Sequence, residues 1–268
     1  MRDLVVSAVI GFFSGVLSGA FGIGGGIITT PAIRLILGAP ALVAVGTPLP
    51  VILPTALTGA FTYAKNGVAD VRVGVTCGLA GSLTAVLGAW GTSLVGGDVV
   101  LLATAALILY AAGDIMLQAY WPRQNAEKPA ALDGSATDDA PAVPAPLMPL
   151  VVIGTVTGLY SGFLGLGGGF VLVPLLTRWL HFDMKRAIAT SLVAVTILAI
   201  PGTITHAMLG HVDWAIALAL SFGVIPGAML GARITLGSSD RTVRLGFATL
   251  LVIVGIWLAG NELLGLLA

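Results

Sequence analysis

The chain has 268 residues, 57% of them hydrophobic and 9% charged, and its mean hydropathy is +1.05. Soluble domains carry roughly 25% charged residues, so this composition excludes a soluble globular protein and indicates a polytopic helical protein whose first partner is the lipid bilayer. Twelve Lys and Arg balance twelve Asp and Glu, leaving no net field to attract nucleic acid, and the single Cys77 excludes an internal disulfide.

The first apolar segment runs from Leu4 to Phe21, breaks at Gly22–Gly26 and resumes from Ile27 to Leu37. It has no small-x-small exit of a cleavable leader, so it is expected to stay as the first helix. Ala41 to Ala64, Val71 to Leu94 and Val99 to Ala119 follow. Gln124 to Pro146 is rich in Ala, Pro and Asp and reads as a solvated linker. Beyond it, Leu150 to Leu164 breaks at Gly165–Gly169 and resumes as Phe170 to Leu180, and Arg186 to Leu209, Trp214 to Leu236 and Val243 to Leu267 complete the chain. The domain plan is an N-terminal membrane repeat over 1–121, a linker over 122–147 and a C-terminal membrane repeat over 148–268.

The two halves are copies at a fixed offset of 143 residues, with no gap. Gly22-Ile23-Gly24-Gly25-Gly26, followed by Pro31, matches Gly165-Leu166-Gly167-Gly168-Gly169, followed by Pro174. Ser18-Gly19 matches Ser161-Gly162, Thr47 matches Thr190, and Gly67-Val68-Ala69-Asp70 matches Gly210-His211-Val212-Asp213.

Charge placement decides how the halves are related, because cytoplasmic loops collect Lys and Arg. If each broken segment crosses once, Arg2, Lys65, Arg72, Arg123 and Lys128 oppose the other seven cations, which is no bias. If each broken segment returns to its own side, only Arg2 and Arg34 oppose the other ten. The expected fold is therefore an all-α polytopic membrane protein of two inverted repeats. Each opens with a Gly-broken helix pair, re-entrant or discontinuous, and continues with three membrane-spanning helices. The linker is then cytoplasmic and both termini lie outside.

Broken backbone at membrane depth is tolerated where it lines a cavity or meets a substrate. Gly24, Gly25 and Gly26 precede one half-helix, and Gly167, Gly168 and Gly169 precede the other. Free amides and the positive end of the helix dipole favour an anion there, which makes these six glycines the candidate substrate-binding backbone. The competing explanation is close helix packing through small residues, which is the expected role of scattered glycines such as Gly88 and Gly231. Ser18 and Ser161, one turn before each break, and Thr47, Thr190 and Ser191, in the following segment, are candidate hydroxyl donors. The alternative for each is a bond back to its own helix.

His206, equivalent to Tyr63, is expected at the membrane interface. Asp114 is the one carboxylate placed well inside an apolar segment, near its end. No residue cluster has metal-ligand spacing and no nucleophile–base pair or phosphate-binding lysine loop appears, so no cofactor is expected.

The doubled Ser-Gly-x-x-Gly-Ile/Leu-Gly-Gly-Gly, each copy followed by a proline, resembles the sulfite exporter TauE/SafE family, also called the 4-toluene sulfonate uptake permease family. The resemblance covers nearly all of the chain outside the linker. It implies a prokaryotic plasma-membrane permease, not an enzyme, for sulfite, sulfonates or related small organosulfur anions. Thr29-Thr30 become Leu172-Val173 in the second copy and Pro48 becomes Ser191, so the two half-sites are chemically unequal. An integral-membrane enzyme acting on a lipid or thiol substrate is the alternative, and it lacks a convergent acid, base or metal ligand. A homodimer is compatible with the sequence, but nothing in it selects one.

Overall fold

A computed structural model describes residues 2–95, 97–120 and 146–267. All of its regular elements are helices: α1 (Arg2–Phe21), α2 (Gly26–Leu35), α3 (Ala41–Gly46), α4 (Pro48–Lys65), α5 (Val71–Val95), α6 (Gly97–Tyr120), α7 (Leu147–Leu164), α8 (Gly169–Trp179), α9 (Met184–Met208), α10 (Trp214–Gly237) and α11 (Asp240–Leu267). Counting α3 and α4 as one, eight segments among the described residues are long and apolar enough to cross a membrane. The predicted linker, apart from its last two residues, lies outside the described residues.

Local chemistry sets several of these boundaries. Pro48 has no N–H to continue the ladder of α3, so the segment read as continuous from Ala41 to Ala64 divides at Thr47. Ser191 stands at the equivalent position, and α9 runs unbroken. Asp213 caps α10, its carboxylate accepting from Ala215 N and Ile216 N at 3.0 Å each.

The repeats interlock. α1 packs most extensively on α10, and α7 on α5, so the first helix of each repeat lies on a crossing of the other. Small residues bring the backbones together: Gly15 faces Val224, Gly19 faces Ala228, Gly158 faces Gly81 and Gly162 faces Ala85. Residue numbers rise together along both contacts, so each pair runs parallel. A Cβ at Gly88 would run into the Leu159 carbonyl, and one at Gly231 into the Val16 carbonyl. These two glycines are packing positions, as the sequence indicates.

α4 and α9 cross at the centre, α4 against α10 and α9 against α5. α2 lies against α1, and Ile28, Ala32 and Ile36 line a shared apolar cavity with Val9 and Phe13. Phe61, Leu83, Met208 and Phe222 stay exposed on the outside, as side chains meeting acyl chains must.

Candidate anion-binding site

Two backbone turns create the site. Gly25 caps α2 at φ +92° and Gly168 caps α8 at φ +74°. That left-handed region costs an L-residue roughly 1–2 kcal/mol, which explains glycine at both caps. The Gly25 carbonyl accepts from Ile28 N and Thr29 N at 3.1 Å, from Thr29 Oγ1 at 3.0 Å and from Ser14 Oγ at 3.1 Å. The Gly168 carbonyl accepts from Val171 N at 3.0 Å and Leu172 N at 2.9 Å, with no hydroxyl in support. The amides of Gly24, Gly25, Gly26, Gly167, Gly168 and Gly169 meet no acceptor among the described residues.

The two clusters touch. A Cβ on Gly26 would lie 2.6 Å from Leu166 Cα, and one on Gly169 would strike the Gly22 carbonyl. Gly24 and Gly167 both pack against Ile52 and Val195, a pair that the repeat offset makes equivalent. Ile23, Ile27, Leu166 and Phe170 nearby are fully buried. Two positive half-helix ends thus share one desolvated region, where electrostatic interactions are strong.

Ser18 and Ser161 are brought to these ends. A Cβ on Gly25 would lie 3.7 Å from Ser18 Cβ, and one on Gly168 would lie 3.1 Å from Ser161 Cβ. Both hydroxyls are buried without a hydrogen-bond partner. So is Thr157 Oγ1, beside Gly168, whereas its equivalent Ser14 is engaged by the Gly25 carbonyl. An unsatisfied buried hydroxyl costs about 1–3 kcal/mol. One beside Gly25 and two beside Gly168 need an explanation, and a ligand with acceptor oxygens supplies one. Ser14 and Thr157 join the candidate residues beside the caps, and the sequence reading passed over both. The repeat offset, which pairs one hydroxyl with the other a turn before Ser18 and Ser161, is the signal that finds them.

The hydroxyls of the remaining candidates have partners in the protein. Ser191 Oγ sits 2.9 Å from the Gly22 carbonyl and 2.8 Å from its own Ile188 carbonyl, so it ties α9 to the start of the first cluster rather than to the amides. The Thr47 and Thr190 hydroxyls are engaged by backbone amides of the opposite repeat. Thr47 Oγ1 accepts from Asp213 N at 3.0 Å and Thr190 Oγ1 from Asp70 N at 3.1 Å. Each pins the loop that enters a crossing of the opposite repeat, so interlocking of the repeats explains why they are duplicated.

His206 faces neither lipid nor solvent: it is fully buried in the last turn of α9, where the ring meets the Gly162 carbonyl of α7 at 3.1 Å. Its equivalent, Tyr63, donates to the Gly19 carbonyl at 2.9 Å. Asp114 pairs with Arg178 in the last turn of α8. Among the described residues, no group of three or more His, Cys, Asp or Glu is placed to hold a metal ion.

A buried polar centre at paired half-helix ends, enclosed by apolar helices of membrane-spanning length, defines the class: a multi-pass membrane transporter. The sequence profile of the Sulfite exporter TauE/SafE family matches residues 7–258, and the chain belongs to that family. It is 28% identical over 264 residues to "Probable membrane transporter protein YunE" of Bacillus subtilis, covering 94% of this chain and 96% of the relative. A protein of Xylella fastidiosa, also named a probable membrane transporter protein, is 28% identical over 271 residues, covering 100% and 99% of the two chains. A third, of Methanocaldococcus jannaschii, is 25% identical over 264 residues, covering 93% of each. These relatives are named as transporters, not as enzymes. No solved structure matches the chain.

Proposed function

We propose that this protein is a permease for small sulfur-containing anions, sulfite or sulfonates, and that the anion is held between the N-termini of α2 and α8. The observation that carries the reading is the pairing of buried, partnerless Ser18 and Ser161 hydroxyls with the unbonded amides of Gly24–Gly26 and Gly167–Gly169. A tetrahedral or pyramidal oxyanion presents several acceptor oxygens to donors arriving from opposite sides. Charge-assisted hydrogen bonds of this kind are the strong ones. The family's description as sulfite exporters selects sulfur oxyanions among the anions that would fit.

The two repeats act as inverted halves in a plasma membrane. The linker lies in the cytoplasm with ten of the twelve cations, and both termini lie outside. The parallel pairings of α1 with α10 and of α7 with α5 are compatible with this reading, in which α1 and α10 run inward and α5 and α7 outward. Ile52 and Val195 close over Gly24 and Gly167. Alternating access consists of rocking one interlocked pair against the other, so that this apolar seal opens to one side at a time.

The test is uptake of labelled sulfite and of a labelled sulfonate into proteoliposomes, with chloride and phosphate as competitors. Saturable flux that the other sulfur anion suppresses, and that chloride does not, is the expected result. Flux that chloride suppresses equally well would refute selectivity for sulfur oxyanions.

A further inference from the structure

We infer that His206 and His211 form a proton-binding site whose occupancy is coupled to anion movement, with one proton carried in the same direction as each anion. This rests on the permease reading above.

The geometry fixes the protons. His206 Nε2 lies 3.1 Å from the Gly162 carbonyl, which can only accept, so Nε2 carries a hydrogen. In a neutral ring, Nδ1 of His206 is then a bare acceptor. His211 Nδ1 lies 3.3 Å from it and must be the donor, which leaves His211 Nε2 with a free lone pair. His206 has no exposed surface, whereas His211 keeps 8% of its own, so a proton arrives at His211. The turn between them is locked by His211 N donating to the His206 carbonyl at 2.9 Å and by Gly210 at φ +73°.

The pair has a defined capacity. One proton on His211 Nε2 leaves the Nδ1–H···Nδ1 bond intact and makes it charge-assisted. A second proton would set two N–H groups against each other and break the bond. The first proton therefore loads a stable state, and the second is opposed. Burial pushes the His211 imidazole below its ordinary value, so loading takes place on the acid side of free histidine.

The surroundings contain little else that titrates. Asp213, two residues on, is turned to the amides of Ala215 and Ile216 as the cap of α10. α3, whose Gly46 packs on His211, has the sequence ALVAVG with no ionisable side chain. α7 contributes only Tyr160, which is exposed, and the first turn of α6 contains Asp98.

Coupling follows from position. The carbonyl that His206 holds belongs to Gly162, next to Ser161 and three residues before the break at Gly165. The other repeat has Tyr63 and Val68 at these two places, and a phenol keeps its proton across the physiological range. The device is thus built into one repeat only. A cation at His211 and an anion at the half-helix ends favour each other's binding, and linkage makes that preference mutual. The doubly loaded state is favoured, which dictates movement in the same direction.

The test uses proteoliposomes of the full chain with methanesulfonate, because a sulfonate stays ionised over pH 5–8 and adds no proton of its own. A pH dye inside should report acidification as methanesulfonate enters. His211→Asn should reduce that acidification at least about tenfold while leaving methanesulfonate exchange without a gradient within about threefold of wild type. His206→Gln, which keeps a donor for Gly162, should behave the same way. Undiminished acidification in both variants, or alkalinisation in the wild type, would overturn the proposal. Absence of any methanesulfonate flux would count against the permease reading instead. In that case 15N titration of the histidine rings still decides the proton site. A single shared protonation step in the wild type, lost from His206 in His211→Asn, supports it, whereas two independent steps or none overturns it.

Discussion

Replacing Ser18 or Ser161 by alanine separates a binding role from a structural one, because the two roles predict opposite signs. Each hydroxyl is buried with no partner. In the anion-free protein, removing it relieves a desolvation cost of about 1–3 kcal/mol, which for a chain of this size corresponds to a melting temperature higher by roughly 2–10 °C. In the anion-bound protein the same change removes a charge-assisted hydrogen bond worth about 1.5–3 kcal/mol, so affinity should fall about tenfold to 150-fold. The assay is thermal unfolding of purified protein without anion, beside a direct measurement of sulfonate binding, for Ser18→Ala, Ser161→Ala and the double variant. Higher stability with weaker binding is the expected combination. Lower stability with unchanged affinity would show that the hydroxyls serve packing, and the assignment of the site would fail.

The glycine caps provide a second contrast. Gly25→Ala places a Cβ at φ +92°, 3.2 Å from Ser14 Oγ, and should weaken sulfonate binding more than about tenfold in protein that still folds. Gly88→Ala, which runs into the Leu159 carbonyl, should lower yield and melting temperature while the surviving protein binds normally. Normal affinity in Gly25→Ala protein that merely melts earlier would reduce the cluster to a packing device. Thr47→Val and Thr190→Val each remove an acceptor from a loop amide and should cost about 1 kcal/mol of stability, with affinity within about twofold of wild type. A collapse of affinity would return both threonines to the site. Reporter fusions should place residues 125–145 on the cytoplasmic side and both termini outside. A linker and C-terminus on the same side would exclude inverted repeats.

Much of this was legible in the sequence because membrane helices announce themselves by composition and length. The segment read as Val71 to Leu94 is helix over Val71–Val95, and the break read at Gly165–Gly169 falls between Leu164 and Gly169. Ser18 and Ser161 could be found because they lie a turn from a visible break, and local spacing carries that information. Thr47 and Thr190 lie in the segment after each break, and their partners, Asp213 and Asp70, are 166 and 120 residues away. Only the interlocking of the repeats reveals those contacts. The partner of His206 was hidden for the same reason: a histidine near the end of an apolar segment shows nothing of the α7 carbonyl that holds it. The division of α3 from α4 at Pro48 did not show in the sequence, since proline removes an N–H without indicating whether the next turn resumes on the same axis.

The central claim is that the backbone amides of both glycine clusters bind one anion. The direct measurement is NMR of [15N]glycine-labelled protein titrated with methanesulfonate, with resonances assigned through single Gly→Ala variants. The account predicts that the amides of Gly24–Gly26 and Gly167–Gly169 shift together along a single saturation curve, while those of packing glycines such as Gly88 and Gly231 stay in place. Shifts confined to one cluster, or saturable shifts that leave both clusters untouched, would contradict it.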